Sequence, residues 1–144
     1  MSIKYYITID EEYFMQYDGP KLSYTTKPIA DELFLVSSSL LFQTIIEIVD
    51  INYFERDNTP YIFKSYSKES ICDFDVLAAC FYLVSRYEEY LPYVKDRHSR
   101  FKAEDSLAYK KGFLKRPIVN IWVNELKIKI QNRYPELFLQ TNKY

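Results

Sequence analysis

One histidine, two glycines and two cysteines in 144 residues each remove a class of function. A catalytic zinc site draws on about three protein ligands, often including two histidines. His98 with Cys72 and Cys80 does not supply that set. With Gly19 and Gly112 as the only glycines, there is no glycine-rich phosphate loop. Nucleophile elbows and Cys–His pairs at recognisable spacing are also absent. The cysteines are too few for a disulfide scaffold and read as small apolar core residues in a reducing compartment. No apolar run approaches the roughly 20 residues that span a bilayer, and Met1–Asp10 does not resemble a secretory signal. The expected location is therefore the cytoplasm, away from a membrane. A net charge of −1 leaves no basic footprint for nucleic acid. The densest basic cluster, Lys95–Arg100, is itself diluted by Asp96.

Tyrosine (15) and phenylalanine (10) are plentiful. Exposed aromatic faces bind sugars or bases, whereas buried ones build a core. Nearly half the residues are apolar, which suits a single domain with a real core over 1–144.

The chain is organised around Asp73–Pro92. Asp73 or Asp75 can cap a helix there, and Pro92 can end it. Leu77, Cys80, Phe81 and Val84 follow helical spacing, with Val76, Ala79 and Leu83 on much of the opposite side. A helix apolar nearly all round is expected to be buried. Before it, Ile3–Ile9 alternates as a half-buried strand, Asp18-Gly19-Pro20 marks a turn, and Lys21–Thr26 and Glu32–Val36 read as short strands. Ile48–Phe54 and Tyr61–Tyr66 flank Arg56–Pro60 as the arms of a hairpin. After it, Ala103–Lys111 reads as a short helix stopped by Gly112. A longer helix runs from Pro117 to about Arg133, with Val119, Trp122, Leu126 and Ile130 as its stripe. The predicted class is α+β: a strand-rich N-terminal half, mainly an antiparallel sheet, packed against the central helix and the C-terminal helices.

Paired acids recur at Asp10-Glu11-Glu12, Asp31-Glu32, Asp73/Asp75 and Glu88-Glu89. Neighbours on a helix or strand point apart, so adjacency alone implies no acid–base pair. Glu125-Leu-Lys127 has nuclease-like letters but falls on a predicted helix. The polar cluster worth following is Arg86, Glu88, Glu89 and Tyr90 with His98 and Arg100 from the next loop. Arg86 can reach Glu89 or Tyr90 along the helix, and Tyr82 can lie beneath it. The cluster either lines a ligand pocket or locks the loop through paired charges, and the second reading weighs more because charges beside an apolar helix need partners.

Phe74-Asp75 and the string Phe81-Tyr82-Leu83-Val84-Ser85-Arg86-Tyr87-Glu88-Glu89-Tyr90-Leu91-Pro92 resemble an uncharacterised N-terminal domain of bacterial polysaccharide-deacetylase-like proteins. The resemblance continues through Asp96, His98, Arg100-Phe101, Ser106-Leu107-Ala108, Gly112-Phe113-Leu114, Pro117 and Trp122. It reaches back to Asp31-Glu32-Leu33-Phe34 and Leu40-Leu41-Phe42. Ser99 stands where that resemblance implies a glycine. Members of the family carry a further segment ahead of the strand matching Tyr6–Asp10 and a catalytic domain beyond the position of Tyr144. The catalytic motifs match nothing here, so the resemblance carries over no catalytic residue, metal or cofactor. It implies a non-catalytic accessory domain whose partner is a deacetylase catalytic domain, in the same polypeptide or a separate chain. Exposed apolar surface around Trp122, Phe138 or the N-terminal strand edge is then expected. Two other readings stand beside it: a glycan-binding module using Tyr87, Tyr90 and Tyr93, and a small hydrolase using Arg86, Glu88 and His98.

Overall fold

A computed structural model describes residues 4–137. Ile3 and Phe138 lie outside them. Helix α1 (Glu11–Gln16) is capped by Asp10, whose Oδ1 accepts the Tyr13 N–H at 3.0 Å. Strands β1 (Leu22–Thr25) and β2 (Leu33–Val36) pair with each other, and β3 (Phe54–Arg56) pairs with β4 (Thr59–Tyr61). Helix α2 spans Val76–Val84, α3 Leu107–Lys110 and α4 Ile118–Arg133.

The α+β class stands, but the strand-rich half and its mainly antiparallel sheet do not. Among the described residues there are two separate two-stranded sheets, one of them parallel. Parallel neighbours ordinarily need a crossover of a dozen or more residues. The connection from Thr26 to Glu32 is shorter, and Glu32 folds it: its carboxylate accepts from Ile29 N at 2.9 Å, Ala30 N at 2.7 Å and Ser23 Oγ at 2.6 Å. Alternation marks a strand but carries no information about the sense of its pairing. Lys4–Asp10 forms no strand either, and each of its residues is exposed.

A hairpin exists, but its paired strands, Phe54–Arg56 and Thr59–Tyr61, lie largely inside the stretch expected to be its loop, and of the expected arms only Phe54 and Tyr61 are paired. Asp57 and Asn58, at φ 50° and 58°, form a two-residue turn of the left-handed kind that suits the strand twist. The arms separate soon afterwards, leaving Ile48 exposed and Val49, Ile51 and Tyr53 half-buried.

The core gathers where α2 and α4 meet. Trp122 is fully buried, 5.7 Å from the Phe74 ring, and donates its indole N–H to Pro60 O at 2.9 Å. It therefore contributes nothing to an exposed patch. Cys72 lies in the same core and Cys80 packs at its edge, as their small apolar character requires.

Of the two candidate caps, Asp75 serves α2, accepting from Ala78 N at 3.0 Å. The helix stops at Val84, well short of Pro92, because Arg86 turns left-handed at φ 55°. A 3-10 turn, Tyr87–Tyr90, follows. The break brings Tyr87 back against the helix, its ring 5.5 Å from Tyr82 and 6.2 Å from Phe81. Nor is α2 buried on all sides: Val84 is 71% exposed and Phe81 43%.

Candidate functional site

The left-handed Arg86 sets the geometry of the polar cluster. Its guanidinium pairs with the Glu89 carboxylate three residues on. Tyr87 points inward, where its hydroxyl accepts from Glu47 N at 3.2 Å and donates to Glu47 O at 3.1 Å. Glu88 turns toward the start of α3, its Oε1 accepting the Leu107 N–H at 2.8 Å. Burial raises the Glu88 pKa above the usual carboxylate value, opposed by that hydrogen bond and by Lys110. Tyr90 is exposed.

The following loop is organised by Asp96. Its Oδ1 accepts from His98 N at 2.7 Å and Arg100 N at 2.9 Å, and its Oδ2 lies 3.5 Å from Arg100 Nε. The Arg100 N–H leads the interactions that hold this carboxyl below its ordinary range. Ser99 completes the turn at φ 61°. His98 Nε2 accepts from Arg97 Nε at 3.0 Å, on an exposed side chain.

Arg86, Glu89 and Arg100 therefore line one open groove of about 1000 Å³, floored by Tyr93 and Phe101. Glu88 lines a smaller adjoining recess of about 210 Å³ with Tyr82 and Leu83. Tyr90 and His98 line neither. Of the groove's arginines, Arg86 and Arg100 are each paired with a carboxylate and lock the loop, while Arg97 donates to His98. Ser85 Oγ is buried with no hydrogen-bond partner among the described residues, so no base is in place to activate it. The thiols of Cys72 and Cys80 are each pushed up to about 11 by burial, which leaves little thiolate near neutral pH. Among the described residues no three His, Cys, Asp or Glu side chains group to hold a metal, and no helix is long and apolar enough to cross a membrane.

Two polar constellations had no local sequence signal. Arg56 donates through Nη1 to both Asp73 oxygens at 2.7 Å, and through Nη2 to Tyr61 OH at 2.8 Å and Glu125 Oε1 at 2.7 Å. Burial lowers its pKa, but these partners outweigh burial and the net shift is upward. The network clamps the hairpin to α4. Glu125 stands 69 positions away in the chain, so no short motif joins the two. The second constellation surrounds Asp75, whose Oδ2 accepts from Ser38 N at 2.6 Å and Tyr24 OH at 2.7 Å. Capping identified Asp75 in the sequence, but not these distant partners.

A model described as a family of unknown function, DUF7033, matches residues 1–135. The chain belongs to DUF7033. No curated protein and no solved structure matches it. The description of DUF7033 names no activity, so the chemistry of this member rests on its own residues.

Proposed function

We propose that this DUF7033 chain is a cytoplasmic, non-catalytic accessory domain that packs on and positions a polysaccharide-deacetylase-like catalytic domain. The observation that carries the reading is exposed apolar surface. Leu41, Phe42, Ile45, Ile46 and Ile48 stand exposed in one short segment, which the Tyr87–Glu47 hydrogen bonds tie to the end of α2. Phe81 and Val84 of α2 add to it, and Tyr5, Tyr6, Ile7 and Ile9 form a second exposed apolar stretch. Patches of this kind mark surfaces that another protein covers. The engaged charges around Arg86 and Asp96 support a structural role for the polar cluster. The left-handed backbone at Ser99 agrees with the glycine implied there by the resemblance. Two free thiols, Cys72 and Cys80, suit a reducing compartment.

The glycan-platform reading needs Tyr87 on the surface, and Tyr87 is buried. The hydrolase reading needs His98 in the groove with Glu88, and those residues line no common recess.

Hydrogen exchange with a purified polysaccharide-deacetylase-like catalytic domain tests the proposal. Protection of residues 41–48 is expected, with binding weakened by Ile45→Glu and Val84→Glu. The absence of both protection and heat of binding would reject it. Intact mass in the native cell then tells whether the partner is joined or separate: a species larger than the 144-residue chain means joined.

A further inference from the structure

A recess of about 430 Å³ lies between the segment from Ser38 to Gln43 and the diverging arms of the hairpin, and none of the polar cluster described above lines it. Its volume falls at the lower end of small-molecule pockets, which span roughly 300–1,000 Å³.

Three features set this recess apart. The first is an orphaned acceptor. Gln43 lines the recess, and its Oε1 is buried without a hydrogen-bond partner among the described residues. Its Nε2 donates to Glu47 Oε1 at 3.0 Å, an acceptor that only the amide nitrogen can satisfy. The orientation is thereby fixed, and the oxygen is left wanting a donor. Buried acceptors are paired in the great majority of proteins, so an exception calls for an explanation.

The second is backbone strain. Ser39, Asn52 and Phe63 all line the recess with left-handed backbones, at φ 69°, 45° and 59°. Asparagine tolerates that region, whereas a bulky aromatic residue there is an outlier. Phe63 is held in it from both sides: its N–H donates to Ile51 O, and its carbonyl accepts from Asp75 N at 2.9 Å. Such strain persists where the surroundings over-determine it, and it clusters at ligand clamps.

The third is the balance of charge and polarity. Asp50 and Lys64 are the recess's one acid and one base. Asp50 Oδ1 accepts from Asn52 N at 3.3 Å, which turns the carboxylate toward the strained loop. The Lys64 ammonium sits 5.2 Å from the rings of both Phe54 and Tyr66, held at the rim by cation–π contacts. Opposite charges in equal number favour a neutral occupant. Serine, asparagine and glutamine side chains ask for one rich in hydroxyls, and Leu40 and Val49 offer an apolar wall for its C–H face.

We propose that this recess binds a small neutral polyol, about one sugar ring in size, whose hydroxyls donate to Gln43 Oε1 and to the Asp50 carboxylate. The site is independent of the docking surface proposed above, so either can fail without the other.

The test is amide chemical-shift mapping of the full chain with glucose, N-acetylglucosamine and myo-inositol in turn. At least one probe shifts the amides of Ser39, Gln43 and Asn52 in a saturable way. Gln43→Leu keeps the side-chain bulk and removes the orphaned acceptor, so it folds at least as well and binds about tenfold more weakly, the loss of one hydrogen bond. Asp50→Ala weakens binding similarly. Ser99→Gly, which relieves a left-handed backbone outside the recess, serves as a folded control that retains binding to within a few-fold. The proposal is overturned if none of the three probes shifts these amides, or if the shifts map elsewhere. Binding that Gln43→Leu and Asp50→Ala both leave unchanged overturns it as well.

Discussion

Asp75→Ala is the most informative single change in the molecule. The Asp75 side chain is almost completely buried and serves three donors: Ala78 N at 3.0 Å, Ser38 N at 2.6 Å and Tyr24 OH at 2.7 Å. Removing it deletes the cap of α2, which costs about 1 kcal/mol. It also strands two partly buried donors, each costing about 1 kcal/mol or somewhat more. Water entering the small gap recovers part of this, so a loss of about 3 kcal/mol is expected. That is a large share of the roughly 5–15 kcal/mol stability of an ordinary domain. Asp73→Ala is the comparison: its ion pair with Arg56 is partly exposed, at 36% and 42% of the two side chains, and is worth about 1 kcal/mol or less. Asp75→Asn falls between, because its amide nitrogen can face Tyr24, whose hydroxyl turns to accept, but not Ser38 N without losing a bond. Urea unfolding followed by the emission of Trp122, the single and fully buried tryptophan, gives all three values. If Asp75→Ala came within about 1 kcal/mol of Asp73→Ala, the stranded-donor reasoning would be refuted.

Glu32→Gln should cost about 1 kcal/mol at neutral pH through loss of charge-assisted bonds, discounted for partial exposure. Burial raises the Glu32 carboxyl, but the Ile29 N–H, the Ser23 hydroxyl and the Ala30 N–H bring it below its usual 4.5. Its contribution is therefore whole above that pH and is lost as pH falls through the lower folded value, so the two urea midpoints should converge in acid; a constant gap would count against the assignment. Ser99→Gly should raise the thermal midpoint slightly, because relief of the left-handed backbone, about 1–2 kcal/mol, exceeds the glycine's extra unfolded-state entropy. A lower midpoint would mean that the serine side chain earns its position. A double-mutant cycle of Arg56→Met with Glu125→Gln should return a coupling of about 1–2 kcal/mol, and Arg56→Lys should fail to restore it because the forked geometry is lost. Additive losses would break the proposed clamp.

Local chemistry was legible where one residue type answers one backbone need. Pro117 stands at the start of α4, Gly112 takes the left-handed position at φ 72° after α3, and Asp75 caps α2. The strands at Leu22–Thr25 and Leu33–Val36 fell within the two stretches read as extended, although it is Ser23, rather than Leu22 or Tyr24, that is buried in the first, and burial does not alternate in the second. Trp122 and its stripe faced inward as the 3.6-residue period required, although Ile130 is less buried than Trp122. The polar cluster was legible as a set of neighbours but not as a geometry. Sequence spacing foresaw the Arg86–Glu89 pair, yet not that Glu88 would reach Leu107 or that His98 would lie apart.

By itself the sequence determined the mixed α+β class, the Asp75 cap of α2, the stop of α3 at Gly112 and the reversal of the chain within Arg56–Pro60, because each depends on contacts within a few residues. Tertiary structure decided the rest. It made β1 and β2 parallel through the folded connection at Glu32, ended α2 at Arg86 so that Tyr87 could pack, and left Lys4–Asp10 without a partner strand. It also joined Arg56 to Glu125 and enclosed Gln43, Asn52 and Phe63 around one recess. Those outcomes depend on which distant segments compete for the same edge or the same buried donor. No local period records that competition; it is settled when the core closes.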